Sequence, residues 1–203
     1  MKKYIESFIE VDNEKLIAII KEEQERQDIQ PSIGSQVGKL LGLLIRAMDA
    51  KRVLEFGTCI GYSTIWLAEA VKFTGGKLTS IEYDKKLYNE TKKNLQSTNL
   101  LDYVDLLLGD ANEVIDSLEG KFDVILQDSA KPLYPIMVDK CVKLLRKNGL
   151  LIADDTLFKP LGIPEKFSYP IDEYNKKIFK NSNLYSTILP IGDGITISVK
   201  LND

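Results

Sequence analysis

The spacing of hydrophobic positions changes near residue 50. Before this point, apolar residues recur with helical periodicity in NEKLIAIIKEEQERQ, for which Asp12 is a candidate N-cap, and in GSQVGKLLGLLIRAMDA. The first fifty residues are therefore predicted to be helical. After this point, short runs rich in Val, Ile and Leu alternate with amphipathic segments. The predicted strands cover residues 52–56, 77–81, 104–108, 123–126 and 150–153.

The segments between these strands have the pattern of helices, as in STIWLAEAVKF, KKLYNETKKNLQST and YPIMVDKCVKLLRKN. Unbroken apolar strands that alternate with helices are typical of a parallel sheet covered on both faces. At the C-terminus, YSTILPIGDGITISVK contains two strands around a Gly-Asp-Gly turn, which predicts an antiparallel hairpin. The predicted fold class is α/β, with a mostly parallel sheet, helices on both faces and this hairpin at the end.

Composition narrows the classes of function. The chain has 203 residues, 44% hydrophobic and 28% charged, which is typical of one globular domain: N-terminal helices over residues 1–50 and an α/β core over residues 51–203. Acidic residues interrupt the N-terminal segment and no apolar run is long enough to span a bilayer, so a cytoplasmic protein without a membrane partner is expected.

The chain contains no histidine, which excludes Ser-His and Cys-His triads and most zinc and non-haem iron sites. Cys59 and Cys141 lie in separate apolar segments, and both are interpreted as buried thiols. The net charge of −3 gives no global attraction to nucleic acid. Any chemistry must therefore use carboxylates, lysine, tyrosine or a hard metal ion.

An acidic residue stands at or beside the carboxyl end of each predicted parallel strand. These residues are Glu55, Glu82, Asp110, Asp128 and the pair Asp154 and Asp155. Ligands of open α/β sheets bind at this edge. Carboxylates gathered there repel one another, so a positively charged ligand is expected among them, with helix capping or solvent exposure as the alternative. A divalent ion and a sulfonium cofactor both supply positive charge.

The stretch VLEFGTCIGYS places two glycines four residues apart after the first predicted strand. A phosphate-binding loop has a lysine, and a dinucleotide loop has three glycines at tighter spacing, but this stretch has neither. S-adenosylmethionine carries a sulfonium and an ammonium group and no phosphate, and Gly57 and Gly61 would let the backbone approach it closely. Glu82 stands where a carboxylate accepts hydrogen bonds from ribose hydroxyls, although a dinucleotide would use it in the same way.

Several motifs, in order, resemble those of the cation-dependent, S-adenosylmethionine-dependent O-methyltransferases, the group of catechol and caffeoyl-coenzyme A methyltransferases and their short bacterial relatives. The motifs are VLEFGTCIGYSTIWLA, GDANEVI, FDVILQDSAK, LLIADDTLF and LPIGDGITIS. The resemblance covers about residues 31–200 and implies a Rossmann-like class I methyltransferase fold. It also implies a set of cofactor-binding residues, to which the glycine loop adds Gly61. The set is Ile33, Glu55, Gly57, Gly61, Ser63, Glu82, Asp110, Ala111 and Asp128.

Within that set, the resemblance places Glu55, Gly57 and Ser63 at the methionine end of the cofactor and Glu82 on its ribose. It places Asp110 and Ala111 beside the adenine, and Ile33 near the cofactor from the N-terminal helices. These roles are implied by the resemblance and are expectations for this chain.

The same resemblance makes Asp128, Asp154 and Asp155 the metal ligands and Lys131, with Asp128, the catalytic residue at the reacting oxygen. Three side-chain oxygens suit Mg²⁺, or Mn²⁺ or Ca²⁺. The chain departs from the family pattern at Asp155, where the family usually has asparagine, so this site carries one more negative charge. The motif DSAK also replaces the commoner DADK or DAAK, but it keeps Asp128 and Lys131. We expect the pKa of Lys131 to be lowered by a neighbouring cation.

The resemblance implies O-methylation of a hydroxyl on a small, catechol-like aromatic substrate. In its tail, the chain also resembles a neighbouring branch of the family that methylates hydroxyuridine in tRNA. An enzyme of that branch needs a basic surface around its pocket, and a set of lysines would provide one in this chain. They are Lys159, Lys166, Lys176, Lys177 and Lys180. More remote alternatives are an NAD-dependent dehydrogenase and a non-catalytic nucleotide-binding module.

Residues 158–174, FKPLGIPEKFSYPIDEY, contain three prolines and several aromatic residues directly after the predicted metal pair. They are interpreted as a loop, either a simple connector or a wall of the substrate pocket. The N-terminal helices would close the other side of the pocket or form a dimer contact, and a homodimer is expected.

Overall fold

The computed structural model describes residues 2–9, 11 and 13–203. Its α-helices are α1 (Lys2–Glu6), α2 (Glu14–Glu25), α3 (Gly34–Ala47), α4 (Tyr62–Thr74), α5 (Lys85–Ser97), α6 (Ala111–Val114), α7 (Leu133–Leu144) and α8 (Glu165–Lys180). Asp12, the candidate N-cap, lies outside the described residues. Asn13 caps α2, because its side-chain oxygen accepts a hydrogen bond from the backbone N–H of Lys15 at 3.0 Å. No helix in the described ranges has the length and hydropathy needed to cross a membrane.

The described residues form one seven-stranded sheet with the order β3-β2-β1-β4-β5-β7-β6. The strands are β1 (Arg52–Phe56), β2 (Lys77–Glu82), β3 (Val104–Leu108), β4 (Phe122–Gln127), β5 (Leu145–Ala153), β6 (Leu184–Leu189) and β7 (Ile195–Lys200). Strands β1 to β5 pair in parallel, and β7 is antiparallel to both β5 and β6. The predicted fold class, a parallel α/β sheet with a C-terminal antiparallel hairpin, is confirmed.

The order of the strands creates a crevice at one point of the sheet. From β1 the chain adds β2 and β3 on one side, and then returns to add β4 and β5 on the other. Strands β1 and β4 are neighbours, so the loops that follow them begin side by side. The chain after β1 leads toward β2, whereas the chain after β4 leads toward β5 on the opposite side. Ligands of open α/β folds bind at such a switch point, outside the carboxyl ends of the strands.

Successive apolar residues of the central strands point to opposite faces, and helices cover both. Val53 of β1 packs in the core cluster that contains residues of α2, α3 and α4, whereas Leu54 packs in the cluster that contains residues of α7 and α8. This explains why the parallel strands are apolar runs rather than alternating patterns. Since the N-terminal helices share a core with β1, we propose that residues 1–203 form one domain, as expected.

Two predicted boundaries in the second half of the chain are wrong. Helix α7 ends at Leu144, although the sequence pattern extended it to Asn148, because Leu145 already pairs with Phe122 of β4 and begins β5. The register of this pairing shifts between Phe122 and Val124, opposite a stretch in which Asn148 has a positive φ of 60°.

The segment interpreted as a loop over residues 158–174 is partly helical, since α8 begins at Glu165 and contains Pro170. Proline removes one backbone hydrogen bond in a helix interior. Ile171, Tyr174 and Ile178 lie on one face of α8 and are fully buried, and their packing against α7 and the sheet outweighs that loss. Only residues 154–164 remain as an irregular connection after β5.

Candidate active site

The glycine loop after β1 passes very close to the backbone that follows β4. Gly57 has a φ of +88°, and a Cβ at this position would lie 2.4 Å from the carbonyl oxygen of Asp128. Gly61 has a φ of +93° and precedes α4, where a Cβ would lie 3.1 Å from Cγ2 of Thr91. The first glycine therefore lets two strand ends approach, and the second lets the loop turn into α4.

Glu82, at the end of β2, holds this loop in place. Its Oε2 accepts hydrogen bonds from the backbone N–H of Thr58, from the Thr58 hydroxyl and from the backbone N–H of Cys59, each at 3.0 Å. Its Oε1 accepts from the backbone N–H of Asp84 at 2.9 Å. The protein's own donors therefore compensate the buried charge of Glu82, which was expected to need a cationic ligand.

Glu55 is fully buried within β1. Its Oε2 accepts hydrogen bonds from the hydroxyls of Thr64, at 2.7 Å, and Ser80, whereas its Oε1 has no hydrogen-bond partner among the described residues. Burial raises the pKa of Glu55 to about 7, and hydrogen bonding from hydroxyl groups only partly offsets this increase. Glu55 therefore connects β1, β2 and the start of α4.

We expect Glu55→Gln to flatten the pH dependence of stability. Because the pKa of Glu55 is about 7 in the folded protein and 4.5 ordinarily, the folded state favours the proton. The resulting stabilisation is present in full below about pH 4.5 and is lost as the pH rises through 7, amounting to at most about 3 kcal/mol. Urea unfolding at about pH 5 and pH 8 should show the variant gaining stability relative to the wild type at the higher pH. Parallel pH profiles would contradict the assigned burial.

The remaining residues expected around the cofactor stand at the starts of helices α3 and α6. Asp110 caps α6, because its side chain accepts a hydrogen bond from the backbone N–H of Asn112 at 2.8 Å. Ala111 is the first residue of α6 and is buried. Ile33 is buried immediately before α3. Asp110 is therefore a helix cap, which was the alternative to contact with a cationic ligand. It lies at the edge of the sheet where the parallel strands end.

Asp128, Asp154 and Asp155 come together beside the glycine loop. One carboxylate oxygen from each lies within 4.8 Å of the other two. Asp128 directly follows β4 and Asp154 directly follows β5, so the parallel pairing of these strands brings them side by side. Asp155 has a φ of +62°, a conformation that Asp and Asn adopt more readily than most residues, which turns its side chain back toward Asp128.

This acidic cluster is only partly compensated by the described residues. Burial raises the pKa of Asp154, and the charges of Asp128 and Asp155 add to this effect. Burial also raises the pKa of Asp128, against the opposing charge of Lys131. Oδ1 of Asp154 is buried and has no hydrogen-bond partner in the described part of the chain. Three clustered carboxylates, one of which has a buried oxygen without a partner, form a donor set that fits a hard divalent cation.

Lys131 joins the cluster from the turn before α7. Its Nζ lies 2.6 Å from Oδ2 of Asp155 and 3.5 Å from Oδ1 of Asp128. The lowered pKa expected for Lys131 depends on a bound cation and stays a prediction. Burial acts to lower it, but the charges of Asp128 and Asp155 outweigh burial and the pKa is raised. The lysine is therefore held as an ammonium group beside the three carboxylates.

Two aromatic residues stand at the cluster: Tyr134, which was not predicted, and Phe158, the first residue of the segment interpreted as a connector or a substrate wall. The Nζ of Lys131 lies 4.8 Å from the ring centroid of Tyr134 and donates a hydrogen bond to its hydroxyl at 3.0 Å. The ring of Phe158, from the connection after β5, lies 5.7 Å from the same nitrogen. Tyr134 follows Lys131 by three residues, a spacing that places two side chains on one face of a helix and was the available signal.

Comparison with known proteins identifies the family of the chain. The family model described as O-methyltransferase matches residues 7–201. The chain belongs to the O-methyltransferase family. A catechol O-methyltransferase of Niastella koreensis is 30% identical over 194 residues, which cover 92% of this chain and 87% of the relative. A catechol O-methyltransferase of Mycobacterium tuberculosis is 29% identical over 155 residues, with 76% and 70% covered.

Among solved structures, the O-methyltransferase TomG from Streptomyces achromogenes, in complex with SAM, superposes with a TM-score of 0.86. It is 25% identical, and the superposition covers 98% of this chain and 95% of TomG. The resemblance found in the sequence motifs and the predicted enzyme class are thereby confirmed. Membership of the O-methyltransferase family also argues against the dehydrogenase and the non-catalytic module.

Proposed function

We propose that this O-methyltransferase transfers a methyl group from S-adenosylmethionine to a hydroxyl of a small, catechol-like aromatic substrate, with a divalent cation bound at the acidic cluster. The observation that carries this proposal is the cluster itself. Asp128, Asp154 and Asp155 gather their oxygens within 4.8 Å of one another, directly beside the glycine loop. Relatives named catechol O-methyltransferase support the substrate class.

In this proposal the cofactor lies in the crevice between the ends of β1 and β4. Glu55, Gly57, Gly61 and Ser63 stand at its methionine end. Ile33, Glu82, Asp110 and Ala111 surround the ribose and adenine, and Asp128 stands between the cofactor and the cation. The switch point of the sheet supports this position, since ligands of open α/β folds bind there, outside the carboxyl ends of the strands.

The cation would be Mg²⁺, with Mn²⁺ or Ca²⁺ as substitutes, and Asp128, Asp154 and Asp155 would hold it. Carboxylate oxygens are the ligands that these ions prefer, and Oδ1 of Asp154 lacks any other partner among the described residues. The charge of Asp155, where the family usually has asparagine, should strengthen binding of the cation.

When bound, the cofactor supplies a methyl group on a positively charged sulfur, and the cation supplies a Lewis acid that lowers the pKa of a nearby hydroxyl. The chain's own contribution is orientation. Lys131, fixed between Asp128 and Asp155, can direct an N–H toward the substrate oxygen, and Phe158 offers an aromatic wall beside it. Holding the reacting groups in place is worth up to about 7 to 11 kcal/mol.

The alternative substrate, a hydroxyuridine in tRNA, would need a basic surface around the crevice. Three of the five lysines expected to form it make ion pairs with carboxylates. Lys159 and Lys176 contact Asp172 at 2.7 and 2.9 Å, and Lys177 contacts Asp139 at 2.7 Å. These pairs reduce the positive charge available to phosphates, so the small-molecule substrate is favoured. The homodimer and the cytoplasmic location stay predictions.

A methyl-transfer screen tests this function. Catechols and hypomodified tRNA are offered with S-adenosylmethionine, before and after divalent ions are removed with a chelator, and again after Mg²⁺ is returned. We expect turnover of a catechol that is lost with the chelator and restored by Mg²⁺. Methylation of tRNA alone, with an affinity that falls steeply as salt is added, would support the alternative. Turnover that is unaffected by the chelator would refute the metal dependence.

A further inference from the structure

The segment after β5, which carries two of the three proposed metal ligands, leaves the regular pairing of the sheet at Asp155. Ala153, the last residue of β5, pairs with Thr196 of β7. In the same register Asp155 would face Gly194, but the backbone N–H of Thr156 donates to the carbonyl oxygen of Gly194 instead, at 2.9 Å. The pairing is therefore displaced by one residue, and Asp155, with its φ of +62°, is the extra residue. Such a displacement redirects a side chain, and here the redirected side chain belongs to the acidic cluster.

The backbone carbonyl directly after this turn is held by an asparagine side chain. Nδ2 of Asn175, in α8, donates a hydrogen bond to the carbonyl oxygen of Thr156 at 2.7 Å. Thr156 is fully buried, so this oxygen needs a partner from the protein. Oδ1 of Asn175 also accepts a longer hydrogen bond, of 3.4 Å, from the hydroxyl of Thr196. Asn175 therefore links the two sides of the displaced pairing, β7 and the segment that carries Asp155.

Helix α8 presents Asn175 from a well-packed position. Ile171 and Ile178, four residues before and three residues after Asn175, share its face of the helix and are fully buried. The segment that Asn175 contacts belongs instead to the irregular connection over residues 154–164. The helix is thus the regular element against which this connection is fixed.

We infer that Asn175 is a positioning residue of the active site, whose carboxamide fixes the backbone after Asp155 and so directs the carboxylates of Asp154 and Asp155 toward the cation. This inference rests on the proposed function, because Asn175 acts through two proposed metal ligands. Residues that orient the ligands of a metal ion affect its affinity as well as the rate, and their substitution commonly costs about 10-fold to 100-fold.

The chain offers a matched control in Asn94 of α5. Its Nδ2 donates a hydrogen bond of the same length, 2.7 Å, to the carbonyl oxygen of Ile60 in the glycine loop. Asn175→Ala and Asn94→Ala each remove one part-buried hydrogen bond from a side-chain amide to a loop carbonyl. Only the first removes a contact with the segment that carries Asp155. Asn175→Leu removes the same contact and keeps the size of the side chain, so it repeats the test without a cavity.

The test measures Mn²⁺ binding by electron paramagnetic resonance of the free ion, at a temperature well below the unfolding midpoint of each variant. We expect Asn175→Ala and Asn175→Leu to weaken Mn²⁺ binding about 10-fold and to lower kcat by a similar factor, while KM for S-adenosylmethionine changes less than about twofold. Asn94→Ala should bind Mn²⁺ as tightly as the wild type.

Two results would overturn the inference alone: wild-type affinity for Mn²⁺ in either Asn175 variant, or an equal loss of affinity in Asn94→Ala. A purely structural role would lower the unfolding midpoint of the Asn175 variants and leave the Mn²⁺ affinity of the folded protein unchanged, which is the first of these results. A wild-type protein that binds no Mn²⁺ would instead overturn the proposed metal site, and this inference with it.

Discussion

Asp128→Ala is expected to reduce methyl transfer by at least about 1000-fold. The substitution removes one of three clustered carboxylates and the contact with Lys131, so it removes a ligand of the proposed cation and the support of the orienting lysine. Stabilisation of developing charge by a metal ion is worth several kcal/mol, and each 1.4 kcal/mol corresponds to a factor of ten in rate. The measurement is kcat/KM for a catechol at saturating Mg²⁺.

The stability of this variant distinguishes a lost site from a lost fold. Removing Asp128 relieves repulsion of Asp154 and leaves Lys131 paired with Asp155, so the unfolding midpoint without added metal should be unchanged or higher. Asp139→Ala is the control, because Asp139 is an exposed carboxylate of α7 that contacts Lys177. It should keep full activity. Normal turnover by Asp128→Ala would disprove the metal assignment.

Gly57→Ala is expected to have the largest effect on stability. A methyl group at this position would lie 2.4 Å from the carbonyl oxygen of Asp128, which belongs to the backbone and cannot move aside easily. The φ of +88° adds a conformational cost of about 1 to 2 kcal/mol, and overpacking adds about 1 to 3 kcal/mol. We expect a loss of about 3 kcal/mol or more in urea unfolding, together with loss of S-adenosylmethionine binding.

Gly162→Ala separates these two contributions. Gly162 also has a positive φ, of +73°, but a Cβ at this position meets no atom within 4 Å. Its substitution should cost only the conformational part, about 1 to 2 kcal/mol, and should leave cofactor binding intact. If both variants lost the same stability, the close approach of the glycine loop to Asp128 would not be the reason for glycine at position 57.

The pattern of apolar residues was sufficient to predict the parallel strands and the hairpin, because the central strands are buried on both faces. It was insufficient at α8, where Pro170 favoured a loop and the buried face of Ile171, Tyr174 and Ile178 determined the helix. It was also insufficient at the start of β5, because pairing of Leu145 with Phe122 depends on a register that local periodicity does not contain.

The acidic cluster followed from a simple rule, since Asp128 and Asp154 directly follow adjacent parallel strands. The same rule grouped Glu82 with these residues, but it did not predict that hydrogen-bond donors of the protein itself compensate the charge of Glu82. Glu82 is satisfied by the backbone N–H groups of Thr58 and Cys59, whose directions depend on loop conformation rather than residue type. The contact of the Tyr134 hydroxyl was not predicted, because the residues near it depend on where α7 begins relative to the end of β4.

The most direct test of the account is anomalous diffraction from crystals grown with Mn²⁺ and S-adenosylhomocysteine. We expect one strong anomalous peak within roughly 2.0 to 2.6 Å of oxygens from Asp128, Asp154 and Asp155, with the cofactor product beside Gly57. The contradicting result would be a cofactor-bound protein without a peak at the three carboxylates, with Lys131 alone balancing their charge.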